Sequence, residues 1–288
     1  MPTYSVRHVT TYRYTTDVSA SYGELHLLPR ERPGQHVATS RVTIEPAPHD
    51  LRHRVDWFGN HATYLSIIEP HRELTVTASS RVTVEAQERS LLGEVPWDQL
   101  RDRAAAETDP DIADLLLDSP RVVRSPRLAA LADASFAPGR PLLAALADLS
   151  TRIHGSFAYR PGTTTVATTL DEVLEARSGV CQDFAHVMIG SLRSLGLPAR
   201  YVSGYLETVA PAGRERLQGA DASHAWASVW TGDGGWLDID PTNDRIVGDR
   251  HVTVAWGRDY GDVAPLKGVI YTQGSGHEIE VEVDVVRT

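Results

Sequence analysis

Over residues 1–85, apolar and polar positions interchange in short runs. Ser5-Val6-Arg7-His8-Val9-Thr10, Arg41-Val42-Thr43-Ile44-Glu45 and Arg81-Val82-Thr83-Val84-Glu85 either alternate or draw on β-branched residues, the pattern of half-buried strands. Turn formers separate them at Pro33-Gly34, Pro46-Ala47-Pro48 and Phe58-Gly59-Asn60. Short strands so punctuated predict a β-sandwich. Residues 74–86 predict one longer edge strand or two short ones.

After residue 86 the period changes. Residues 97–106 and 111–117 read as helices, and Pro110, Pro120, Pro126 and Pro138 limit their extension. Residues 86–140 are therefore a helical connecting segment. From Pro141, Leu142, Leu143, Leu146, Leu149 and Ile153 recur at helical spacing. Thr169 and Glu172 form a capping-box signal for a helix over 170–176, which Arg177-Ser178-Gly179 ends. A third helix begins near Cys181 with the apolar stripe Phe184, Met188, Leu192, Leu195; Gly196 caps it and Pro198 prevents its continuation. Strands follow over 200–207, 224–230 and 236–240, the last two joined by a Gly232-Asp233-Gly234-Gly235 loop. The tail adds strand signal over 252–255, 268–272 and 278–286. Helices followed by strands predict an α+β unit with a largely antiparallel sheet over 141–288.

Composition narrows the function classes. The chain has 288 residues, 41% hydrophobic and 23% charged, with 28 basic against 38 acidic side chains and a formal charge of −10. That balance disfavours general binding of nucleic acid or anionic membranes. No apolar run reaches the length of a membrane span, and the first residues show no signal-peptide core, so a cytoplasmic location is expected. Lys267 is the single lysine. Genome composition is the ordinary reason; protection from self-crosslinking is a functional one.

Cys181 is the single cysteine. It has no disulfide partner within the chain, and one sulfur does not make a Cys-rich zinc site. No acidic loop reads as a calcium site, and no metal or other cofactor is expected. Alone, such a cysteine is most often a small buried hydrophobe. Its setting favours a nucleophile: a helix N-terminus and a nearby imidazolium both favour the thiolate, and first-turn N–H groups are free to hold an oxyanion. His224 follows 43 positions later and Asp240 sixteen after that. His224 suits the base and acid roles, and Asp240 would fix its tautomer. Both lie on one expected hairpin. They share a face only if paired residue numbers sum to an even value near 464, so a three- to five-residue loop or a bulge is required there. Asp238 has the same parity as Asp240 and competes with it.

Gly179-Val180-Cys181-Gln182-Asp183-Phe184-Ala185-His186, Pro198-Ala199-Arg200-Tyr201-Val202-Ser203-Gly204-Tyr205, His224-Ala225-Trp226 and Asp240-Pro241-Thr242-Asn243 resemble the bacterial transglutaminase-like superfamily. The match is strongest over 140–245. The N-terminal stretch with Asp56-Trp57-Phe58-Gly59-Asn60, and Gly257-Arg258-Asp259-Tyr260-Gly261-Asp262-Val263-Ala264-Pro265, also look like parts of such proteins. The resemblance implies a papain-like catalytic domain over 141–288, with Cys181 as nucleophile, His224 as base and Asp240 as its orienter. Family members include cysteine proteases, amidases and cross-linking enzymes. Animal transglutaminases use an aromatic oxyanion-hole residue before the cysteine; Tyr159 is a candidate substitute here. Gln182 is a further oxyanion candidate, and Trp226, Arg258, Asp259 and Tyr260 are candidates to meet substrate. Trp226 and Trp236 also suit the core, Asp183 a helix cap, and His186 a packing role. The expected reaction takes an acyl group from a peptide, protein or small amide onto Cys181 and passes it to water. Transfer to an amine is the alternative, and a non-enzymatic binding or assembly module a third reading.

Overall fold

The computed structural model describes residues 1–85, 94–210, 212–218, 220, 222–232 and 235–288. The chain opens with strands β1 (Thr3–Leu25), β2 (Gln35–Glu45), β3 (Asp50–Val55), β4 (His61–Ile67) and β5 (His71–Val84). Helices α1 (Trp97–Ala105), α2 (Pro110–Ala113), α3 (Pro126–Asp133) and α4 (Leu142–Ser156) follow, with a one-turn helix at Asp114–Leu116. Next come β6 (Ala158–Tyr159), α5 (Leu170–Ala176), β7 (Ser178–Gly179) and α6 (Cys181–Ser194). The last strands are β8 (Ala199–Leu206), β9 (His224–Trp230), β10 (Trp236–Asp240), β11 (Arg245–Ile246), β12 (His251–Gly257), β13 (Leu266–Thr272) and β14 (His277–Arg287), with a helical turn at Tyr260–Asp262.

The N-terminal unit is an antiparallel sheet of seven strands built around β1. The register of β1 breaks between Arg13 and Val18. Before the break β5 and β14 flank it; after the break β4 and β13 do. The sheet thus folds into two layers that share one strand. Leu25, Leu65 and Ile67 from one layer meet Ile44, Leu74, Val76 and Ala78 from the other, the apolar interior a sandwich needs. β5 is a single long strand, but it is interior, between β2 and β1. β13 and β14 correct the sequence reading of 141–288 as one unit, because they complete the N-terminal sheet. Alternation reveals a strand but not its partner.

The second sheet runs in the order β11-β10-β9-β8-β12, and its pairs are antiparallel. Helix α6 packs on it, and α3, α4 and α5 contact α6. The expected stripe on α6 is wider in fact: every residue from Asp183 to Arg193 is buried. Its polar members therefore need partners. Arg193 finds them in the carbonyls of Ala199, Leu117 and Arg258. Pro126 does not end a helix but starts α3, where its missing N–H costs nothing and Ser125 caps Leu128. The Thr169–Glu172 capping box of α5 is present, and Arg177 ends the helix with φ 49°. No helix among the described residues is long and apolar enough to cross a membrane.

Two side-chain amides join the units. β12 is an edge strand of the second sheet, so its outer backbone groups need partners. Asn60 donates to the Trp256 carbonyl at 2.8 Å and accepts from its N–H at 2.9 Å. Gln35 does the same at Thr253, both at 2.8 Å. Beside them, Arg200 lies between the rings of Trp236 and Trp256, and Arg30 covers Trp256.

Candidate active site

Cys181 is the first residue of α6 and is half-buried. The preceding Gly179 pairs with Tyr159 across the short β6–β7 ladder. A Cβ on Gly179 would stand 2.4 Å from Asp183 Oδ2, so this glycine makes room for the cap of α6. Asp183 Oδ2 accepts from the Val180 N–H at 2.8 Å and from the Thr164 hydroxyl at 2.7 Å. Burial raises the Asp183 carboxyl, and these two bonds oppose the rise. Asp183 is thus a cap, as its position suggests. The N–H groups of Cys181 and Gln182 make no backbone hydrogen bond among the described residues and remain open to an acceptor.

Pairs on the β9–β10 hairpin sum to an even value: Trp230 faces Trp236 and Ala227 faces Ile239. His224 and Asp240 therefore share a face. The turn closes through Thr231 N–H to the Gly235 carbonyl; Asp233 and Gly234 of the expected loop lie outside the described residues. His224 Nε2 meets Asp240 Oδ2 at 2.9 Å, and neither side chain is exposed. The other imidazole nitrogen, Nδ1, is buried and makes no hydrogen bond among the described residues. Burial disfavours the His224 imidazolium, but the charges of Asp240 and Cys181 and the hydrogen bond to Asp240 outweigh it, raising the imidazole to about 10. Burial likewise opposes the Asp240 carboxylate, yet His224 and His251 hold it far below the usual carboxylate range.

Asp240 is heavily supported. Its Oδ1 accepts from the N–H groups of Thr242 and Asn243 at 3.0 and 3.2 Å. Its Oδ2 accepts from Asn243 Nδ2 at 2.8 Å and faces His251 Nε2 at 3.3 Å. Sequence reasoning missed His251. It sits on β12, two strands from His224, and no local spacing connects them. The competing Asp238 is occupied elsewhere: Arg32 donates to its Oδ2 at 2.6 Å.

The remaining candidates divide. Tyr159 lies beside the nucleophile loop with its ring edge-on to Phe184. Gln182 is half-buried, and its side chain makes no hydrogen bond among the described residues. Trp226 is fully buried between His224 and His251, so it offers no face to substrate and belongs to the core. Asp259 is also buried; its carboxylate accepts from the Arg121 and Gly261 N–H groups and shapes a turn. Arg258 is held by Asp262 through Nε and Nη2. For the buried Asp259 the turn role replaces the expected substrate contact, whereas Arg258 stays half-exposed beside it. Tyr260 packs edge-on against Tyr201, whose buried phenol feels the Cys181 charge, and its N–H bonds His186 Nε2 at 3.1 Å. Burial pushes His186 down, and its Nε2 accepts that N–H, so it serves as a packing residue. Tyr260 also lines a 630 Å³ cavity with Tyr12, Tyr14, Tyr22 and Arg121. Among the described residues no group of three or more His, Cys, Asp or Glu side chains is placed to hold a metal ion.

A cysteine at a helix N-terminus, beside a buried His–Asp pair on an antiparallel sheet, defines the class of α+β proteins with a papain-like core. Residues 4–83 match the bacterial transglutaminase-like N-terminal region, and residues 129–241 the transglutaminase-like superfamily. The chain belongs to the bacterial transglutaminase-like superfamily. An uncharacterized protein of Mycobacterium tuberculosis is 45% identical over 98% of this chain and 92% of its own length. A protein-glutamine gamma-glutamyltransferase of Pseudomonas aeruginosa is 36% identical over 51% of this chain but only 23% of its own. A solved structure of a cysteine-protease candidate from Cytophaga hutchinsonii shares the fold, with a TM-score of 0.76 and 22% identity over 99% of this chain and 90% of that one.

Proposed function

We propose that this protein is a thiol acyl-transfer enzyme that cleaves an amide or peptide bond through a thioester on Cys181, with water as the final acceptor. The observation that carries the reading is the buried His224–Asp240 pair at 2.9 Å, with Cys181 acting on the same imidazole from the start of α6. The thiol proton rests on His224, and Sγ attacks the carbonyl carbon. The resulting oxyanion accepts from the open N–H groups of Cys181 and Gln182. His224 then gives its proton to the leaving amine as the C–N bond breaks. Neutral His224 next takes a proton from water, whose oxygen attacks the thioester; collapse releases the acid and restores Cys181. Asp240 keeps the ring oriented and stabilises its charged form throughout.

A second reading has one specific support: the likeness to the Pseudomonas glutamyltransferase, which favours an amine as acceptor in place of water. Incubation with a glutamine-containing peptide and a biotinylated alkylamine separates the two. Ammonia release without incorporation supports hydrolysis, and incorporation above that background supports transfer. Equal turnover by Cys181→Ala would remove the mechanism in either form. The substrate class proposed is a peptide, protein or small amide, and the compartment proposed is the cytoplasm.

A further inference from the structure

We propose that His251 is a fourth member of the active site, a positioning residue that shares Asp240 Oδ2 with His224 and tempers the pull of that oxygen on the catalytic imidazole. This inference rests on the proposed thiol chemistry and adds to it a residue outside the Cys-His-Asp set.

His251 Nε2 faces the same carboxylate oxygen as His224 Nε2, at 3.3 Å against 2.9 Å. An Asp240 that is ionised accepts from both rings, so His251 must present its proton on Nε2. Its Nδ1 is buried and makes no hydrogen bond among the described residues. Burial pushes His251 below its ordinary value; Asp240 opposes this, while the charges of His224 and Arg245 add to it. Burial thus disfavours a second charge on His251 beside the His224 imidazolium, while each Nε2 donates to the shared oxygen.

The approach is built across the sheet. His224 on β9 and His251 on β12 are separated by β8, where Gly204 pairs with both His224 and Thr253. A Cβ at Gly204 would stand 2.3 Å from the Trp226 ring and 2.3 Å from the Val252 carbonyl. Glycine there lets the Trp226 indole lie across β8, tilted toward His224 and edge-on to His251 at 5.3 Å. Both imidazoles are thus braced by one ring against one oxygen. A donor on a carboxylate oxygen spreads its charge and weakens its hold on a neighbouring cation. His224 must hold a proton for the thiolate but also surrender it to the leaving amine, and a tempered Asp240 serves the second step.

The test is the pH dependence of Cys181 alkylation by iodoacetamide, which needs no substrate, in wild type, His251→Leu and His251→Gln. Loss of the donor in His251→Leu should move the alkaline limb, set by His224, upward by about 0.5–1 pH unit. His251→Gln keeps an N–H donor and should retain the wild-type limb. On any turnover substrate found, His251→Leu should lower kcat with KM unchanged. A purely structural histidine would lower the melting temperature in both variants and leave the limb in place, which would overturn the proposal; so would a downward shift. If His251→Leu does not fold, ¹⁵N NMR of the wild type decides: Nε2-protonated, neutral His251 at pH 7 is expected, and the Nδ1 tautomer contradicts it. A wild type without thiolate reactivity at neutral pH would sink the thiol reading itself. An unmoved limb in a reactive His251→Leu would sink only the role of His251.

Discussion

The chemistry of this protein is concentrated on one carboxylate. Asp240 collects two backbone N–H groups, the Asn243 amide and two imidazoles without solvent access. Replacing it with Asn removes the charge that keeps His224 protonated. Turnover at neutral pH should fall by about 10²-fold or more while the fold persists; unchanged turnover would remove Asp240 from the mechanism. The same pair links stability to pH. His224 is raised in the fold, so its contribution is complete below its unfolded value near ~6.5 and is lost as pH rises toward about 10. Asp240 is depressed, so its contribution is present above the usual carboxylate range and is lost as pH falls below it. Chemical denaturation of wild type and Asp240→Asn across pH 5–10 should show that difference narrowing on the alkaline side.

At the scale of elements, two glycines are required by close approach. Gly179 leaves space for Asp183 to cap α6, and Gly204 leaves space for Trp226. Gly204→Ala meets a backbone carbonyl as well as a ring and should destabilise the fold by about 1–3 kcal/mol, read by urea denaturation; a neutral result would show that β8 and β12 can part without cost. Much of this level was legible in the sequence. The Thr169–Glu172 box and the start of α6 at Cys181 follow from local signals, and the even register of the β9–β10 hairpin is what placing His224 and Asp240 on one face requires. Other features were not legible, because they depend on partners far along the chain. Pro126 looked like a stop but sits where α3 begins. His251 reaches Asp240 only through the strand order. Trp226 and Asp259 carried the right chemistry for a cleft, yet burial and internal bonds commit them to the framework.

At the scale of the whole molecule, the N-terminal sheet is fastened to the second sheet rather than tethered beside it. Asn60 and Gln35 stand in for a missing neighbouring strand along β12, and β14 contributes Val283 and Val285 to the main core. The Asp-Trp-Phe-Gly-Asn segment thereby acquires a physical role: its asparagine closes an open sheet edge. Asn60→Ala leaves the Trp256 N–H and carbonyl without these partners and should cost about 1–3 kcal/mol in stability. Since β12 also carries His251, the alkaline limb of Cys181 alkylation should shift with it. A stability loss with an unaltered limb would show that the edge is fastened independently of the site.

The central claim, that Cys181 accepts an acyl group under control of His224, is tested most directly with p-nitrophenyl acetate and intact-mass analysis. The account predicts one acetyl group per chain, mapped to Cys181, absent in Cys181→Ala and formed about 10²-fold more slowly in His224→Ala. Acetylation that proceeds equally fast in His224→Ala, or that maps to another residue, would contradict it.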